Sequence, residues 1–114
     1  MANNTAVLDE VFKALSDPTR RAVIGRLALG PASVSELAGP FPMALPSFVQ
    51  HLRVLEGAGL IRSHKHGRIR TCELEAQTID SARAWLDRQR VVWRQRLDQL
   101  DQYAQSLDQQ EDTL

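Results

Sequence analysis

Apolar residues along most of the chain recur three and four positions apart, a pattern that predicts a largely helical protein. The first apolar stripe covers about residues 5–15, and a second helix is predicted to begin at Pro18, directly after the capping residue Asp17. A capping-box sequence at residues 33–36 predicts a short third helix, and a fourth helix is predicted over residues 44–58. The N-terminal half of the chain is therefore predicted as four helices joined by short connections.

Two β-strands and one long helix are predicted in the second half of the chain. Residues 60–65 and 68–74 are predicted as strands joined at His66-Gly67, because glycine supplies the positive φ that a tight hairpin turn requires. From about residue 78 onwards a single helix is predicted, since apolar residues recur there every seven positions. The predicted fold class is therefore mostly α with a small two-stranded β unit.

Length and composition narrow the class of protein. A chain of 114 residues supports one modest core and excludes a large two-domain enzyme. No apolar run approaches the roughly 18–20 residues of a membrane span, and the first twelve residues carry no basic segment, so a cytoplasmic protein without membrane association is expected. The single cysteine, Cys72, excludes an internal disulfide. No glycine-rich phosphate loop or nucleophile–base motif is present, so neither an enzyme nor a cofactor is expected.

The net charge is zero, but the charges are distributed unevenly along the chain. Residues 13–72 contain nine Lys or Arg residues against three acids, whereas residues 73–114 contain five Arg residues against nine acids. The middle of the chain therefore carries a net charge of +6 and the C-terminal part −4. Such a molecule can attract a polyanion on one surface and remain neutral overall.

The middle of the chain has the element order of a winged helix-turn-helix, namely helix, short break, helix and basic hairpin. A step of about 100° per residue along the fourth helix places Leu52 at the centre of the buried face and Ser47 and Gln50 opposite it. His51 and Arg53 fall on the two flanks. This face suits the DNA major groove, where glutamine bonds adenine and arginine bonds guanine. An ordinary solvated helix face is the alternative.

The predicted hairpin, or wing, concentrates basic residues around an exposed turn. They are Arg62, His64, Lys65, His66, Arg68 and Arg70. Like charges so close together cost stability unless an anion compensates them, and DNA phosphate is the predicted anion. The alternative is that the charges only protect the edge of the sheet from aggregation.

The last helix carries an apolar stripe along about 45 Å of its length, at 1.5 Å per residue, which a core of about seventy residues cannot cover. A second copy of the chain is the predicted partner, and folding back onto its own core is the alternative. The predicted dimer interface comprises Leu8, Phe12, Leu86, Trp93, Leu97, Leu100 and Leu107. The chain is thus predicted as one winged-helix domain with a DNA-binding core at about 5–75, a dimerisation helix at about 76–109 and a frayed tail at 110–114.

Two segments, FKALSDPTRR at residues 12–21 and QHLRVL at residues 50–55, resemble hallmark segments of ArsR/SmtB-type repressors. Residues 58–61 and Gly67-Arg68 are similar to the helix exit and wing of that family, so the resemblance covers about residues 6–75. It implies a homodimeric winged-helix protein that binds an operator and blocks transcription.

The resemblance also implies which residues contact DNA. It places the recognition helix on Ser47, Gln50, His51 and Arg53, and the wing tip on His64, Lys65, His66, Gly67 and Arg68. Arg20 and Arg21 match a pair typical of the family, with a structural, capping or DNA-backbone role. Many members have serine where this chain has Val49, so a hydroxyl contact to DNA is missing at that position.

The metal sites of the family have no counterpart in this sequence. Arsenic-sensing members carry a Cys-x-Cys pair near the third helix, and residues 32–37 here contain no thiol. Zinc-sensing members place histidine and carboxylates on the last helix, and the last helix here contains no histidine. These metals require thiolate or imidazole ligands, so no metal is expected and the chain resembles a metal-independent branch.

The sequence therefore predicts a sequence-specific, double-stranded-DNA-binding transcriptional regulator, most simply a dimeric repressor that reads an inverted repeat. The predicted DNA-binding residues are Ser47, Gln50, His51, Arg53, His64, Lys65, His66, Arg68 and Arg70. The alternatives are a winged-helix module for protein–protein interaction and a thiol-sensing regulator that uses Cys72. A cysteine in such a position is more often a small buried apolar residue, which argues against the thiol-sensing alternative. No residue pattern points to a particular small-molecule inducer.

Overall fold

The computed structural model describes residues 4–112, which form five helices and a three-stranded sheet. The helices are α1 (Asn4–Ala14), α2 (Pro18–Leu27), α3 (Val34–Ala38), α4 (Leu45–Gly57) and α5 (Ala76–Asp112). The strands are β1 (Ala32–Ser33), β2 (Ile61–His66) and β3 (Ile69–Leu74). The chain divides into two compact units between Ala82 and Arg83, so the first turns of α5 belong to the N-terminal unit.

Two helices begin at the positions predicted from their capping residues. The Asp17 carboxylate accepts a hydrogen bond from the backbone N–H of Arg20 at 3.0 Å, and Pro18 occupies the first turn of α2. At α3, Ser33 Oγ accepts from the backbone N–H of Glu36 at 3.1 Å, and the Glu36 carboxylate accepts in return from the Ser33 N–H at 3.5 Å. These reciprocal bonds confirm the predicted capping box, because they satisfy N–H groups that the helix itself cannot.

The sheet differs from the sequence prediction in the number of strands and in the position of the turn. The strand order is β1-β3-β2, and both pairs are antiparallel. The additional strand β1 pairs Ala32 with Cys72; at two residues it is too short to show an alternating pattern in the sequence. His66 pairs with Ile69, so the turn consists of Gly67-Arg68 and not of His66-Gly67. Gly67 has the predicted positive φ, at 64°.

The hydrophobic core lies in the N-terminal unit and joins α1, α2 and α4 to the sheet. Phe48 of α4 is fully buried and stacks on Phe41 with the ring centroids 5.4 Å apart. Leu8 packs against this core, so much of its side chain is covered within one chain. The packing buries one face of α4 and leaves the other exposed.

The C-terminal unit, from Arg83 onwards, is the continuation of α5. The helix runs to Asp112, three residues beyond the end predicted at 109, and the remaining two residues of the expected tail lie outside the described range. Its heptad-spaced apolar residues are all exposed, at 43–63%: Leu86, Trp93, Leu97, Leu100 and Leu107. Among residues 4–112, no helix has an apolar stretch long enough to cross a bilayer.

Candidate nucleic-acid interface

The outer face of α4 presents the side chains that the helical wheel predicted. Ser47, Gln50 and Arg53 are exposed, whereas Phe48 and Leu52 are buried on the opposite side. The face carries one carboxylate, Glu56 in the last turn, whose Oε1 accepts a hydrogen bond from Ser63 at 3.0 Å. The face is therefore dominated by neutral and basic groups, as a surface that approaches phosphate requires.

His51 occupies a different environment from its neighbours on α4. The ring is half-buried, and its Nδ1 lies 3.1 Å from Arg20 Nη1 and 3.7 Å from Asp17 Oδ2. Since a guanidinium can only donate, Nδ1 acts as the acceptor in the bond to Arg20. The structure therefore places His51 in a contact between α4 and the start of α2, with one ring nitrogen already engaged.

Arg20 and Arg21 cap the preceding helix. Arg20 Nε donates to the carbonyl of Ala14 at 2.6 Å, and Arg21 Nη1 donates to the carbonyl of Leu15 at 2.8 Å. These carbonyls end α1 and have no partner within the helix. Of the roles considered for this pair, the structure shows the capping role.

Asp17 is electrostatically adapted to this junction. The hydrogen bond from the backbone N–H of Arg20 lowers the pKa of Asp17, with a smaller contribution from the charge of Arg20, against the opposing effect of burial. The carboxylate is thus held in its charged form, in which it accepts the N–H groups of the α2 N-terminus.

The wing tip, defined as residues 64–68, carries charges without partners inside the chain. Lys65 and Arg68 are exposed, as are His64 and His66 on either side of Lys65. Within residues 4–112, the side chains of the wing tip make no recorded hydrogen bond or ion pair. Lys65 also lies directly opposite Arg70 across the β2–β3 ladder, and two like charges in such a pair are destabilising. An external anion would relieve this repulsion.

The base of the wing is electrostatically satisfied. Arg62 Nε lies 2.5 Å from Glu73 Oε1 and 3.1 Å from Glu75 Oε1, and the hydrogen bond to Glu73 raises the pKa of Arg62. Nearer the turn, opposite Lys65, Arg70 Nη1 donates to Ser63 Oγ at 3.0 Å, which ties this predicted phosphate contact to its own hairpin. The uncompensated basic charge is therefore concentrated at the wing tip.

Sequence reasoning missed two contacts that shape this surface. One is the bond from Arg20 to His51, which joins residues 31 positions apart, and the other is the chain from Arg70 through Ser63 to Glu56. The SDPTRR segment contained a partial signal, because arginines in the first turn of a helix can reach the carbonyls of the helix before it. The second contact depends on the position of the wing relative to α4, for which the sequence had no signal.

No metal or thiol chemistry is evident in the part of the chain that the structure describes. Residues 4–112 contain no group of three or more His, Cys, Asp or Glu side chains able to hold a metal ion. Cys72 is buried in β3; burial raises the pKa of its thiol, the charge of Glu56 adds to the rise and Arg70 opposes it. A raised pKa leaves little thiolate, the reactive form.

Comparison with known proteins identifies related helix-turn-helix regulators. Residues 15–64 match a family described as a helix-turn-helix domain. The HTH-type transcriptional regulator Rv2034 of Mycobacterium tuberculosis is 38% identical over 104 residues, covering 91% of this chain and 92% of that protein. The transcriptional repressor SdpR of Bacillus subtilis is 32% identical over 69% of this chain and 88% of its own length.

A solved structure extends the match to the fold. The crystal structure of an ArsR family transcriptional regulator superposes with a TM-score of 0.76 at 54% sequence identity, and the match covers 82% of this chain and 97% of that one. The match extends over nearly the whole of that regulator. The chain belongs to the ArsR family of winged helix-turn-helix transcriptional regulators.

Proposed function

We propose that the chain is a homodimeric repressor that reads an inverted-repeat operator with α4 and the wing tip. The observation that carries this proposal is the contrast along the wing. Arg62 at the base pairs with Glu73, and Arg70, which lies opposite Lys65, donates a hydrogen bond to its own hairpin. Lys65 and Arg68 at the tip carry charges with no recorded partner in the described residues. A cation that the fold leaves uncompensated beside an exposed helix face suits a phosphate backbone.

Different residues supply affinity and specificity in this proposal. Lys65 and Arg68 contact phosphates and strengthen binding to any duplex. Gln50 and Arg53 meet base edges in the major groove, where each well-formed side-chain–base pair contributes about 1–3 kcal/mol of discrimination. His51 contributes through the ring nitrogen that Arg20 does not engage. The expected compartment is the cytoplasm, because the proposed DNA target is there.

The dimer rests on the exposed stripe of α5. Leu86, Trp93, Leu100 and Leu107 repeat every seven residues, the spacing with which two helices pack together. A symmetric pair would place two copies of α4 about one DNA turn, roughly 34 Å, apart and so read an inverted repeat. The name of the Bacillus subtilis relative, a transcriptional repressor, supports repression as the outcome.

A selected duplex and a random duplex distinguish the two kinds of contact. A cognate sequence is first selected from a randomised pool with the purified protein. Gln50→Ala is expected to weaken binding to the cognate duplex more than binding to the random one. Lys65→Ala is expected to weaken binding to both duplexes equally and to reduce the slope of log K against log salt by about one.

Arg62→Ala is the matched control, because it removes the same charge from the satisfied base of the wing. It should leave the salt slope close to that of the parent protein. Equal losses on both duplexes for Gln50→Ala would refute the role of α4. Absence of salt-dependent binding to any duplex would refute the proposal and favour a protein–protein module.

A further inference from the structure

A cleft lies between the start of α3, one face of α4 and the wing, and its lining includes Arg53 and Arg68, two of the proposed DNA contacts. It encloses about 710 Å³, within the range of about 300–1,000 Å³ that is typical of small-molecule sites. We call it the α4–wing cleft. All its lining residues fall between Ser33 and Cys72, so the cleft belongs entirely to the N-terminal unit.

The inner part of the cleft is apolar. It is lined by Val34 of α3, Val49 and Leu52 of α4, and Ile61 and Cys72 of the sheet. Val49 stands where many ArsR/SmtB members have serine, so an apolar group replaces a hydroxyl in this lining. At the wing, Ile69 also lines the cleft and is 60% exposed, which leaves a large apolar side chain for a bound molecule to cover.

Charged groups also line the cleft, and only some of them have a partner within the chain. Glu36 lies 3.6 Å from Arg26, and Glu56 accepts a hydrogen bond from Ser63, which in turn accepts one from Arg70. Both acids therefore already have partners.

Arg53 and Arg68 line the same cleft, and within residues 4–112 neither side chain has a recorded hydrogen bond or ion pair. The uncommitted charge in the lining is thus positive. A guanidinium binds a carboxylate through two parallel N–H···O bonds, which gives both strength and orientation.

We propose that the α4–wing cleft binds a small organic carboxylate with an apolar body. The carboxylate pairs with Arg53 and Arg68, and the body packs on Val49 and its apolar neighbours. Because Arg68 belongs to the wing tip, an occupied cleft withdraws a cation from phosphate and weakens DNA binding. This second statement rests on the proposed function, whereas ligand binding itself does not.

Ligand binding is tested on the full chain without DNA, with naphthalene-2-acetate as the probe and naphthalene-2-ethanol as its neutral counterpart. Methyl NMR signals of Val34, Val49 and Ile61 are expected to shift and saturate with the acetate. The alcohol should bind about 10- to 100-fold more weakly, since it lacks the charge-assisted bonds. Arg53→Ala should weaken binding of the acetate to a similar degree and leave binding of the alcohol unchanged.

Val49→Ser and Val54→Ser form a matched pair on α4. Val49 lines the cleft, whereas Val54 is exposed and does not line it. Only Val49→Ser is expected to weaken binding of the probe, and both variants should retain thermal stability close to that of the parent. Equal affinity for the acid and the alcohol, or shifts confined to methyls outside the cleft, would overturn the site.

A DNA-binding experiment with the same two probes distinguishes failure of the ligand site from failure of the proposed function. Saturating naphthalene-2-acetate is expected to release the selected duplex, and the alcohol at the same concentration should not. Duplex binding without any binding of the acetate would overturn the cleft alone. Acetate binding in a protein that binds no duplex would refute the proposed function and leave the cleft as a ligand site. Simultaneous binding of the acetate and the duplex would show that the two ligands do not compete.

Discussion

Arg20 Nη1 lies 3.1 Å from His51 Nδ1, and through this bond a residue that caps α1 also holds the helix proposed to read DNA. The same guanidinium donates through Nε to the carbonyl of Ala14 at 2.6 Å. One rigid, planar donor group therefore connects the end of α1, the start of α2 and the middle of α4. A change in the α1–α2 junction is therefore expected to alter the orientation of the His51 ring.

Replacement of Arg20 is expected to affect both stability and DNA binding. Arg20→Ala removes hydrogen bonds from a charged donor and should lower the free energy of unfolding by about 1.5–3 kcal/mol. It should also weaken binding to the selected duplex, because His51 loses the group that positions it. Urea unfolding and duplex titration measure the two effects.

Arg21→Ala is the control for this experiment, because Arg21 also caps α1 but makes its recorded hydrogen bond only to Leu15. It should lower stability with little change in DNA affinity. If Arg21→Ala weakened the duplex as much as Arg20→Ala, the contact with His51 would have no separate role in positioning α4.

Acid should destabilise the protein partly through Asp17. Its pKa is lowered from the ordinary value of 3.8, chiefly by the backbone N–H of Arg20, so its carboxylate stabilises the fold when charged. That contribution is present above the unfolded pKa and is lost as the pH falls through the lower folded value. Stability measured by urea unfolding should therefore decline through this acidic range.

Asp17→Asn tests this origin, because asparagine also caps a helix but does not titrate. The variant should show a shallower decline of stability with falling pH than the parent protein. Asp17→Ala should lose stability at neutral pH as well. A parallel decline in Asp17→Asn and the parent would show that other carboxylates cause the acid sensitivity.

The Cys72 thiol is expected to react slowly in the folded protein. It is 1% exposed in β3, and burial raises its pKa, so both access and the thiolate fraction are low. Dithionitrobenzoate at pH 7.5 should modify it at the rate of unfolding and much faster in urea. A native rate equal to the rate in urea would restore the hypothesis of a thiol-sensing regulator.

A charge on the stripe of α5 should separate the proposed dimer. Leu100 is 61% exposed in the single chain, so Leu100→Glu should leave the protomer folded while it places a carboxylate in the apolar interface. Analytical ultracentrifugation should then show monomers, and affinity for an inverted repeat should fall. Gln99→Glu, at an exposed position beside the stripe, should remain dimeric. A dimeric Leu100→Glu would place the interface elsewhere.

Features that depend on neighbours in the sequence were predictable from the sequence. The capping box at residues 33–36, the helical wheel of α4 and the positive φ of Gly67 each arise from interactions within a few residues. Short-range hydrogen bonds and side-chain periodicity decide such features, and both are readable as residue types at a given spacing. The helices and the exposed face of α4 were accordingly predicted within a few residues of their observed limits.

The tertiary structure alone decided which of the predicted site residues have partners. Arg62, Arg68 and Arg70 have similar positions in the sequence, but only Arg68 has no recorded partner within residues 4–112, since Glu73 and Ser63 engage the other two. The two-residue strand β1 and the contact of His51 with Arg20 likewise exist only once distant segments pack together. The energy of an electrostatic pair falls as the distance between the two charges in space increases. Residue order along a chain does not specify that distance.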